Sequence, residues 1–363
     1  MKVEFTNLFK LTNSKNKIFK KINFLIKKNN FVGGKEVLNF EKEFSKFVGS
    51  KYCVSLGNGT DALILAVKSL NLKKNSEAIV PSNTWISTAE AVVAAGLKVI
   101  FCDVNLDDYS ICTEDLKKKI SSKTSLIIPV HLYGNPSNML EIKKIINNKN
   151  IKIIEDCAQA HGARINNKHV GTFGDIGTFS FFPGKNLGCF GDGGAVVTNN
   201  KNYYKYILRS RNHGALKKYD HKFCGFNSRL DSIQAGVLRI KLKNYPKQLK
   251  RRRQIANVYY KKLSSISQIK LFNLKKDYFS CYHQFVIRSD QRNNLKKFLL
   301  KHKIATMIHY PYMLNEMKFF NYKKKIKNSN MLGKKILSLP ISEEHSNREI
   351  NYICEKIKFF FKN

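Results

Sequence analysis

Residues 180–188 are Ser-Phe-Phe-Pro-Gly-Lys-Asn-Leu-Gly, and Gly-Asp-Gly-Gly follows at 191–194. The segment lies between two runs with strand character, 177–182 and 195–198. Its glycines and its proline predict a turn that fixes the direction of the Lys185 side chain. A lysine held in this way is a candidate nucleophile, because a desolvated amine forms a Schiff base with a carbonyl compound. The alternative is a solvated loop lysine, which is the usual state of this residue type.

A candidate partner for Lys185 ends the run Ile151-Lys-Ile-Ile-Glu-Asp156. This apolar run with an acidic end is typical of a buried strand that emerges at the carboxyl edge of a sheet, where open α/β folds bind ligands. Enzymes that use pyridoxal 5'-phosphate (PLP) need a lysine to bind the cofactor and an Asp or Arg facing its pyridine nitrogen; a carboxylate there keeps the ring protonated. Lys185 and Asp156 are therefore the candidate catalytic pair of a PLP site. An aspartate that only caps a turn is the alternative for Asp156.

Five motifs occur in the order found in the DegT/StrS-type nucleotide-sugar aminotransferases, which the chain resembles from about residue 33 to residue 340. The resemblance implies an aspartate-aminotransferase-like α/β fold (PLP fold type I), with a mostly parallel central sheet and a smaller C-terminal α/β domain. The motifs are Asn58-Gly-Thr-Asp-Ala62, Pro81-Ser-Asn-Thr-Trp85, Glu155-Asp-Cys-Ala-Gln-Ala-His161, residues 180–188, and Gly225-Phe-Asn-Ser-Arg-Leu230.

Asn58-Gly59-Thr60 marks a point where a strand turns into a helix, and the free N–H groups of a helix N-terminus bind anions. The resemblance implies that Gly59, Thr60 and Ser180 hold the PLP phosphate. A plain turn is the alternative. The sequence lacks the P-loop and G-x-G-x-x-G patterns, so ATP and NAD are poor candidates.

The resemblance assigns further cofactor contacts to Trp85, Gln159 and Asn227. Trp85 would stack on the PLP ring, although a lone tryptophan is more often part of a core. Gln159 would lie near the pyridine hydroxyl. Asn227 would reach the phosphate from the neighbouring subunit, which implies a homodimer with shared active sites.

The resemblance also implies a substrate side of the site, formed by His161, Arg229, His309 and Tyr310. A structural histidine is the alternative for His161, and a turn-shaping role is the alternative for Asn227 and Arg229. The chain departs from many relatives at Phe182, where they carry Tyr, and at residues 312–315, Tyr-Met-Leu-Asn.

The 363 residues, 43% of them apolar, allow a large PLP-binding domain at 1–250 with an N-terminal segment, and a small domain at 251–363. No run reaches the roughly 18 apolar residues of a membrane span, and no apolar signal-peptide region follows Met1. We therefore expect a cytoplasmic protein without a membrane partner. The eight cysteines form no C-x-x-C pair, so neither a metal site nor a disulfide framework is indicated.

The formal charge of +39 favours a different class of protein, one that binds nucleic acid or has a regulatory role. The lysines are spread through every expected helix, however, and no nucleic-acid-binding module is present. Lys, Asn, Ile and Phe are abundant together, which indicates A/T-rich codons. We interpret the charge as a solvated surface without a specific nucleic-acid partner, and we expect the densest run, 250–253, to open an exposed helix.

Strand and helix patterns alternate along the first half of the chain, which predicts a largely parallel sheet covered by helices on both faces. No role is assigned to residues 1–30, and Ser346-Asn-Arg-Glu349 is a capping box that opens a last helix. The expected strands are 51–56, 77–80, 98–104, 125–130 and 151–156, and the expected helices are 60–70, 84–95, 114–120, 139–147 and a long one from about 231.

The sequence thus predicts a PLP-dependent aminotransferase that moves an amino group from an amino acid, glutamate in the family, to a nucleotide-linked keto-sugar. Pro129-Val-His-Leu-Tyr-Gly134 resembles the subgroup that aminates C3 of dTDP-3-keto-6-deoxyhexoses. Amination at C4 is one alternative. A PLP-dependent sugar dehydratase is another, although a histidine replaces the lysine in that branch. The nucleic-acid-binding or regulatory protein is the alternative from another class.

Overall fold

A computed structural model describes residues 1–10, 14–147 and 149–362 of the chain. Eleven α-helices lie in these ranges: α1 Lys15–Lys27, α2 Gly34–Val48, α3 Gly59–Ser69, α4 Ser87–Ala94, α5 Thr113–Lys119, α6 Met139–Ile145, α7 Lys201–Ser210, α8 Ser232–Leu263, α9 Arg292–Lys301, α10 Lys327–Lys335 and α11 Asn347–Lys362.

The same ranges contain thirteen β-strands, most of them short. They are β1 Tyr52–Leu56, β2 Glu77–Pro81, β3 Lys98–Cys102, β4 Thr124–Ile127, β5 Lys152–Asp156, β6 Arg164–Ile165, β7 Lys168–His169, β8 Ile176–Ser180, β9 Gly194–Thr198, β10 Lys270–Leu271, β11 Tyr278–Phe279, β12 Phe285–Arg288 and β13 Ile336–Leu339. Each strand and helix expected in the first half of the chain is present, with ends displaced by a few residues.

The central sheet has seven strands among the described residues, in the order β1-β9-β8-β5-β4-β2-β3. Strands β3, β2, β4, β5 and β8 run parallel, and β9 and β1 pair antiparallel at one side. The mostly parallel α/β fold is therefore confirmed. Because β5 and β8 are parallel neighbours, their carboxyl ends place Asp156 and Ser180 at the same edge of the sheet.

Helices cover both faces of the central sheet, as its apolar strands require. Helices α2, α5, α6 and the first half of α8 pack on one face. Helices α3, α4 and α7 pack on the other. The alternation is visible in β1, where Cys53 joins the first core and Val54 the second.

A third core forms around the antiparallel sheet β10-β12-β13. Helices α9 and α11 and the second half of α8 bury apolar side chains in it, and so does Val3 from the N-terminus. Val3 pairs with Ile304 in a parallel bridge, so the first residues of the chain pack on the C-terminal part. The domain division at residue 250 falls inside α8, and it stays a prediction.

One expectation about α8 is wrong. The run 250–253 does not open an exposed helix but lies within α8, and Arg252 is buried. Its guanidinium donates to Glu343 Oε2 at 2.9 Å and to the carbonyl oxygens of Tyr282 and Ile341 at 3.1 and 2.6 Å. A buried cation is tolerated when its hydrogen bonds and its charge are satisfied in this way.

The expected capping box at the start of α11 is confirmed. The Ser346 hydroxyl accepts from the Glu349 N–H at 3.2 Å, and the Glu349 carboxylate accepts from the Ser346 N–H at 2.7 Å. These two bonds satisfy N–H groups that the helix itself leaves free. In the described part of the chain, no helix combines the length and the apolar character that crossing a membrane requires.

Candidate active site

The turn that carries Lys185 is fixed by backbone hydrogen bonds directly after β8. The Lys185 N–H donates to the Phe182 carbonyl at 2.8 Å, and the Cys189 N–H donates to the Phe181 carbonyl at 2.8 Å. Gly188 permits this closure, because a Cβ there would lie 2.5 Å from the Pro183 carbonyl oxygen. The sequence-predicted turn is therefore present, and it holds Lys185 in one place.

Lys185 is half-buried, and desolvation of its ammonium lowers its pKa to about 8. The nearby charge of Asp156 opposes this shift by favouring the charged amine. The solvated loop lysine that served as the alternative interpretation would have kept an ordinary pKa. A lysine with a lowered pKa supplies a neutral amine near neutral pH, which is the nucleophilic form.

Asp156 ends β5 and is buried at the carboxyl edge of the sheet. Its Oδ2 accepts from the Thr88 hydroxyl at 2.8 Å, and its Oδ1 accepts from the Ala158 N–H at 3.1 Å. Burial raises the pKa of Asp156, while these two bonds and the Lys185 charge act in the opposite direction. A cation placed against this carboxylate would be stabilised, since the group is desolvated and incompletely compensated.

Glu155, the other carboxylate of the acidic pair, points away from Lys185 into the core. It is fully buried and accepts from the N–H groups of Gly171, Phe173 and Gly174 at 2.7 to 2.8 Å, and from His131 Nε2 at 3.0 Å. Burial alone would raise the pKa of Glu155, but these bonds outweigh it and lower the pKa.

The ligand atoms of His131, Glu155 and Cys157 lie within 4.8 Å of one another, which is close enough for a metal ion. His131 Nδ1 accepts from the Ser137 N–H at 2.9 Å, so Nε2 carries the proton that Glu155 accepts. Both imidazole nitrogens are therefore used by protein groups. Burial also keeps the pKa of Cys157 well above its usual range, and a thiol is a poor metal ligand. The cluster has the chemistry of a structural network behind Asp156.

The start of α3 carries the residues predicted to form an anion cradle. Asn58 caps the helix by accepting from the Asp61 N–H at 2.8 Å. The N–H groups that precede Asp61 open the helix, so they have no intrahelical acceptor. Gly59 faces Ser180 closely, because a Cβ on Gly59 would lie 2.7 Å from Ser180 Cβ. The Thr60 hydroxyl is 2.7 Å from the Ser87 hydroxyl. Gly59, Thr60 and Ser180 are thus neighbours in the fold, which their predicted common role requires.

Trp85 lies between β2 and α4, and 58% of its side chain is exposed. This tryptophan is therefore not a core residue. Its ring lies 5.5 Å from the ring of Tyr310. Gln159 joins the two sides of the site, because its Oε1 accepts from the Tyr133 N–H at 2.7 Å and its Nε2 donates to the Tyr310 hydroxyl at 3.0 Å.

The two histidines predicted for the substrate side differ in their surroundings. His161 is fully buried between the rings of Phe179 and Phe181, at 5.5 and 5.6 Å, and burial lowers its pKa to about 3. His309 is half-buried, and its Nδ1 lies 2.9 Å from the Ser338 hydroxyl. Burial and the Lys185 charge lower the pKa of His309 to about 4. Both imidazoles are neutral near pH 7.

Known proteins match this chain over most of its length. Residues 12–358 match the DegT/DnrJ/EryC1/StrS aminotransferase family. The chain belongs to this family. It is 37% identical over 329 residues, 90% of each chain, to dTDP-3-amino-3,6-dideoxy-alpha-D-galactopyranose transaminase of Aneurinibacillus thermoaerophilus.

Two further proteins extend the comparison. UDP-N-acetyl-3-dehydro-alpha-D-glucosamine 3-aminotransferase of Acidithiobacillus ferrooxidans is 37% identical over 330 residues, which is 90% of this chain and 89% of that protein. The crystal structure of S. venezuelae DesV in complex with a ketimine intermediate superposes with a TM-score of 0.97 at 31% identity, covering 100% of this chain and 99% of DesV. The expected family and fold are confirmed.

In this aminotransferase, Asn227 and Arg229 contact Asn212 and not the residues around Lys185 and Asp156. Asn227 is exposed and forms an antiparallel bridge with Asn212, whose side-chain oxygen accepts from Arg229 at 2.9 Å. Between them, Ser228 accepts from the Gly57 N–H at 3.0 Å, beside the anion cradle. The roles of Asn227 and Arg229 stay predictions.

Sequence reasoning missed Thr88 and Ser87, the hydroxyls that contact Asp156 and Thr60. Both residues belong to α4, which the sequence predicted only as a helix. The hydrogen bond from Thr88 to Asp156 joins residues 68 positions apart. No local pattern signals such a contact, although two adjacent hydroxyl residues in the first turn of α4 mark where this helix faces polar groups.

Proposed function

We propose that this aminotransferase uses PLP to move an amino group from an amino acid, glutamate, to a nucleotide-linked keto-sugar, at C3 of a dTDP-3-keto-6-deoxyhexose. The observation that carries the proposal is the pairing of Lys185, whose pKa is lowered to about 8, with the buried carboxylate of Asp156. PLP enzymes combine a lysine that binds the cofactor with an Asp or Arg that faces its pyridine nitrogen, and this site offers the lysine and the Asp.

The side chains present fit PLP. The cradle of Gly59, Thr60 and Ser180 suits a phosphate, because a helix N-terminus offers N–H donors and a partial positive charge. The exposed indole of Trp85 is available to stack on a planar ring. Asp156 suits a protonated pyridine nitrogen. When bound, PLP supplies the electron sink that lets an amino group leave one substrate and enter another.

The residues of the chain perform the remaining steps. Lys185 would hold the cofactor through its side-chain amine, and the same amine would take and return the proton that moves at the substrate carbon. Thr88 and the Ala158 N–H hold the Asp156 carboxylate in place. Gln159 keeps Tyr310 beside Trp85, on the side proposed for the substrate with His161, Arg229 and His309.

The names of two similar proteins support a nucleotide-linked sugar as substrate and C3 as the carbon that receives nitrogen. One is a dTDP-3-amino-sugar transaminase, and the other is a 3-aminotransferase acting on a UDP-linked 3-dehydro sugar. The presence of Lys185 disfavours the dehydratase alternative. The eight cysteines are unpaired, which supports a reducing compartment, and we place the enzyme in the cytoplasm. The proposed dimer would bring Asn227 of each subunit to the cradle of the other.

The experiment is incubation of the PLP-loaded protein with glutamate and a panel of dTDP- and UDP-linked 3-keto and 4-keto sugars, with NMR identification of the carbon that gains nitrogen. Nitrogen at C3 of the dTDP sugar is expected, and Lys185→Ala is the inactive control. Transfer only at C4, or loss of the 3-hydroxyl without nitrogen transfer, would contradict the proposal. Protein without a visible PLP band that shifts unrelated DNA would instead support the nucleic-acid alternative.

A further inference from the structure

A cavity of about 240 Å³ lies beside Lys185 and has no assigned role. This volume is below the roughly 300–1,000 Å³ of a pocket that holds a whole drug-sized ligand. The cavity therefore suits one part of a larger substrate. Among its lining residues are Leu8, Lys185, Phe190, Lys241, Gln248 and Glu343.

Lys241 is the unusual residue of this cavity. It extends from α8, and its Nζ donates to the Gly188 carbonyl at 2.6 Å, which leaves two ammonium hydrogens for other acceptors. No carboxylate of residues 1–10, 14–147 or 149–362 lies within ion-pair distance of Lys241. Burial lowers its pKa. A half-buried cation without a paired anion is costly, so an anion at this position would stabilise it.

The one carboxylate in the cavity lining does not fill that role. Glu343 accepts from Arg252 Nε at 2.9 Å, and only 6% of either side chain is exposed. Glu343 is thus paired with Arg252, and its charge favours the charged form of Lys241 only weakly, from beyond ion-pair distance, since burial still lowers the Lys241 pKa. Gln248 adds an amide group to the same lining.

Apolar groups complete the cavity. Leu8 and Phe190 are 45% and 42% exposed, and the Lys241 ammonium lies 5.0 Å from the centre of the Phe190 ring. A ligand part with negative charge, attached to less polar groups, matches such a lining.

We propose that Lys241 binds the diphosphate of a nucleoside diphosphate sugar and so directs the sugar toward Lys185. This inference rests on the proposed function, because only a nucleotide-linked substrate carries a diphosphate into this site. The carboxylate of the amino donor is the other anion that enters the site. Each donor carboxylate carries one negative charge, so it attracts Lys241 less strongly than a diphosphate with two charges.

The test measures binding of dTDP, UDP and thymidine to the PLP-loaded full-length protein by isothermal titration calorimetry, without turnover. Lys241→Met keeps the stem that packs on Phe190 and removes the charge. We expect it to weaken dTDP and UDP binding roughly ten- to hundredfold, the usual loss for a hydrogen bond to a charged group. Thymidine binding should not change, and Lys241→Arg should retain most of the diphosphate affinity.

Lys243→Met is the matched control, because Lys243 is exposed on the same helix two residues away. It should leave all affinities unchanged, and all three variants should keep the wild-type PLP band. Equal dTDP affinity in Lys241→Met and wild type would overturn the inference. So would a raised KM for glutamate with unchanged dTDP affinity, since the anion bound would then be the donor carboxylate. Wild-type protein that binds dTDP through Lys241 but transfers no nitrogen would contradict only the proposed function.

Discussion

The lowered pKa of Lys185 predicts how fast the apoprotein binds PLP at different pH values. With a pKa of about 8, about 9% of the amine is neutral at pH 7, about 50% at pH 8 and about 91% at pH 9. An ordinary lysine with a pKa near 10.4 would be only about 0.04% neutral at pH 7. The structure therefore predicts roughly 200-fold more nucleophile at pH 7 than a solvated lysine offers.

The assay mixes apoprotein with PLP and follows the initial rate of covalent attachment by absorbance above about pH 7, where the phosphate is already ionised. The rate should rise and level off with an inflection near pH 8, and Lys185→Ala gives the background from other lysines. In Asp156→Asn the inflection should move to lower pH, because Asp156 favours the charged amine. A rate that keeps rising tenfold per pH unit up to about pH 9.5 would refute the reasoning.

The lowered pKa of Lys185 also makes the stability of the fold depend on pH. The folded-state pKa of about 8 is below the unfolded value near 10.4, so the unfolded chain binds the Lys185 proton more tightly. Lys185 therefore opposes folding below about pH 8, and stability should rise as the pH increases from there toward about 10.4. Denaturant unfolding of apoprotein at several pH values should show this rise in the wild type and a smaller one in Lys185→Met. Identical pH profiles would contradict the shift.

Three further predictions concern single contacts. Thr88→Val removes the donor to Asp156 Oδ2, so it should lower the free energy of unfolding by about 1.5–3 kcal/mol and raise the Asp156 pKa, as measured by denaturant unfolding and by NMR titration. Gly59→Ala places a Cβ 2.7 Å from Ser180 Cβ, so it should cost about 1–3 kcal/mol of stability and weaken PLP binding in a fluorescence titration. Ser346→Ala removes the α11 cap and should cost about 1 kcal/mol in thermal unfolding without changing transamination.

The parts of the site that local patterns encode were predictable from the sequence. Asp156 ends an apolar run, and such runs become buried strands whose ends meet at one sheet edge. Gly59 and Lys185 lie in Gly-containing turns next to strands, so their positions follow from β1 and β8. The mostly parallel sheet follows from the alternation of the first half of the chain.

The parts that depend on contacts between distant residues were not predictable. The run 250–253 looks like a solvated surface, yet Arg252 is buried because Glu343, 91 positions later, pairs with it. Glu155 and Asp156 are adjacent acids, but strand alternation sends one side chain to the core and the other to the site. The sequence predicted Asp156 as the partner of Lys185, but it did not predict that Glu155 accepts hydrogen bonds from His131 and from the backbone of residues 171–174.

The most direct test of the account is to reduce the PLP-loaded protein with borohydride and map the labelled lysine by peptide mass spectrometry. The account predicts stoichiometric labelling of Lys185 alone, with the label prevented by prior addition of the amino donor. Label spread over many surface lysines, with Lys185 unmodified, would contradict the claim that Lys185 and Asp156 form the catalytic centre.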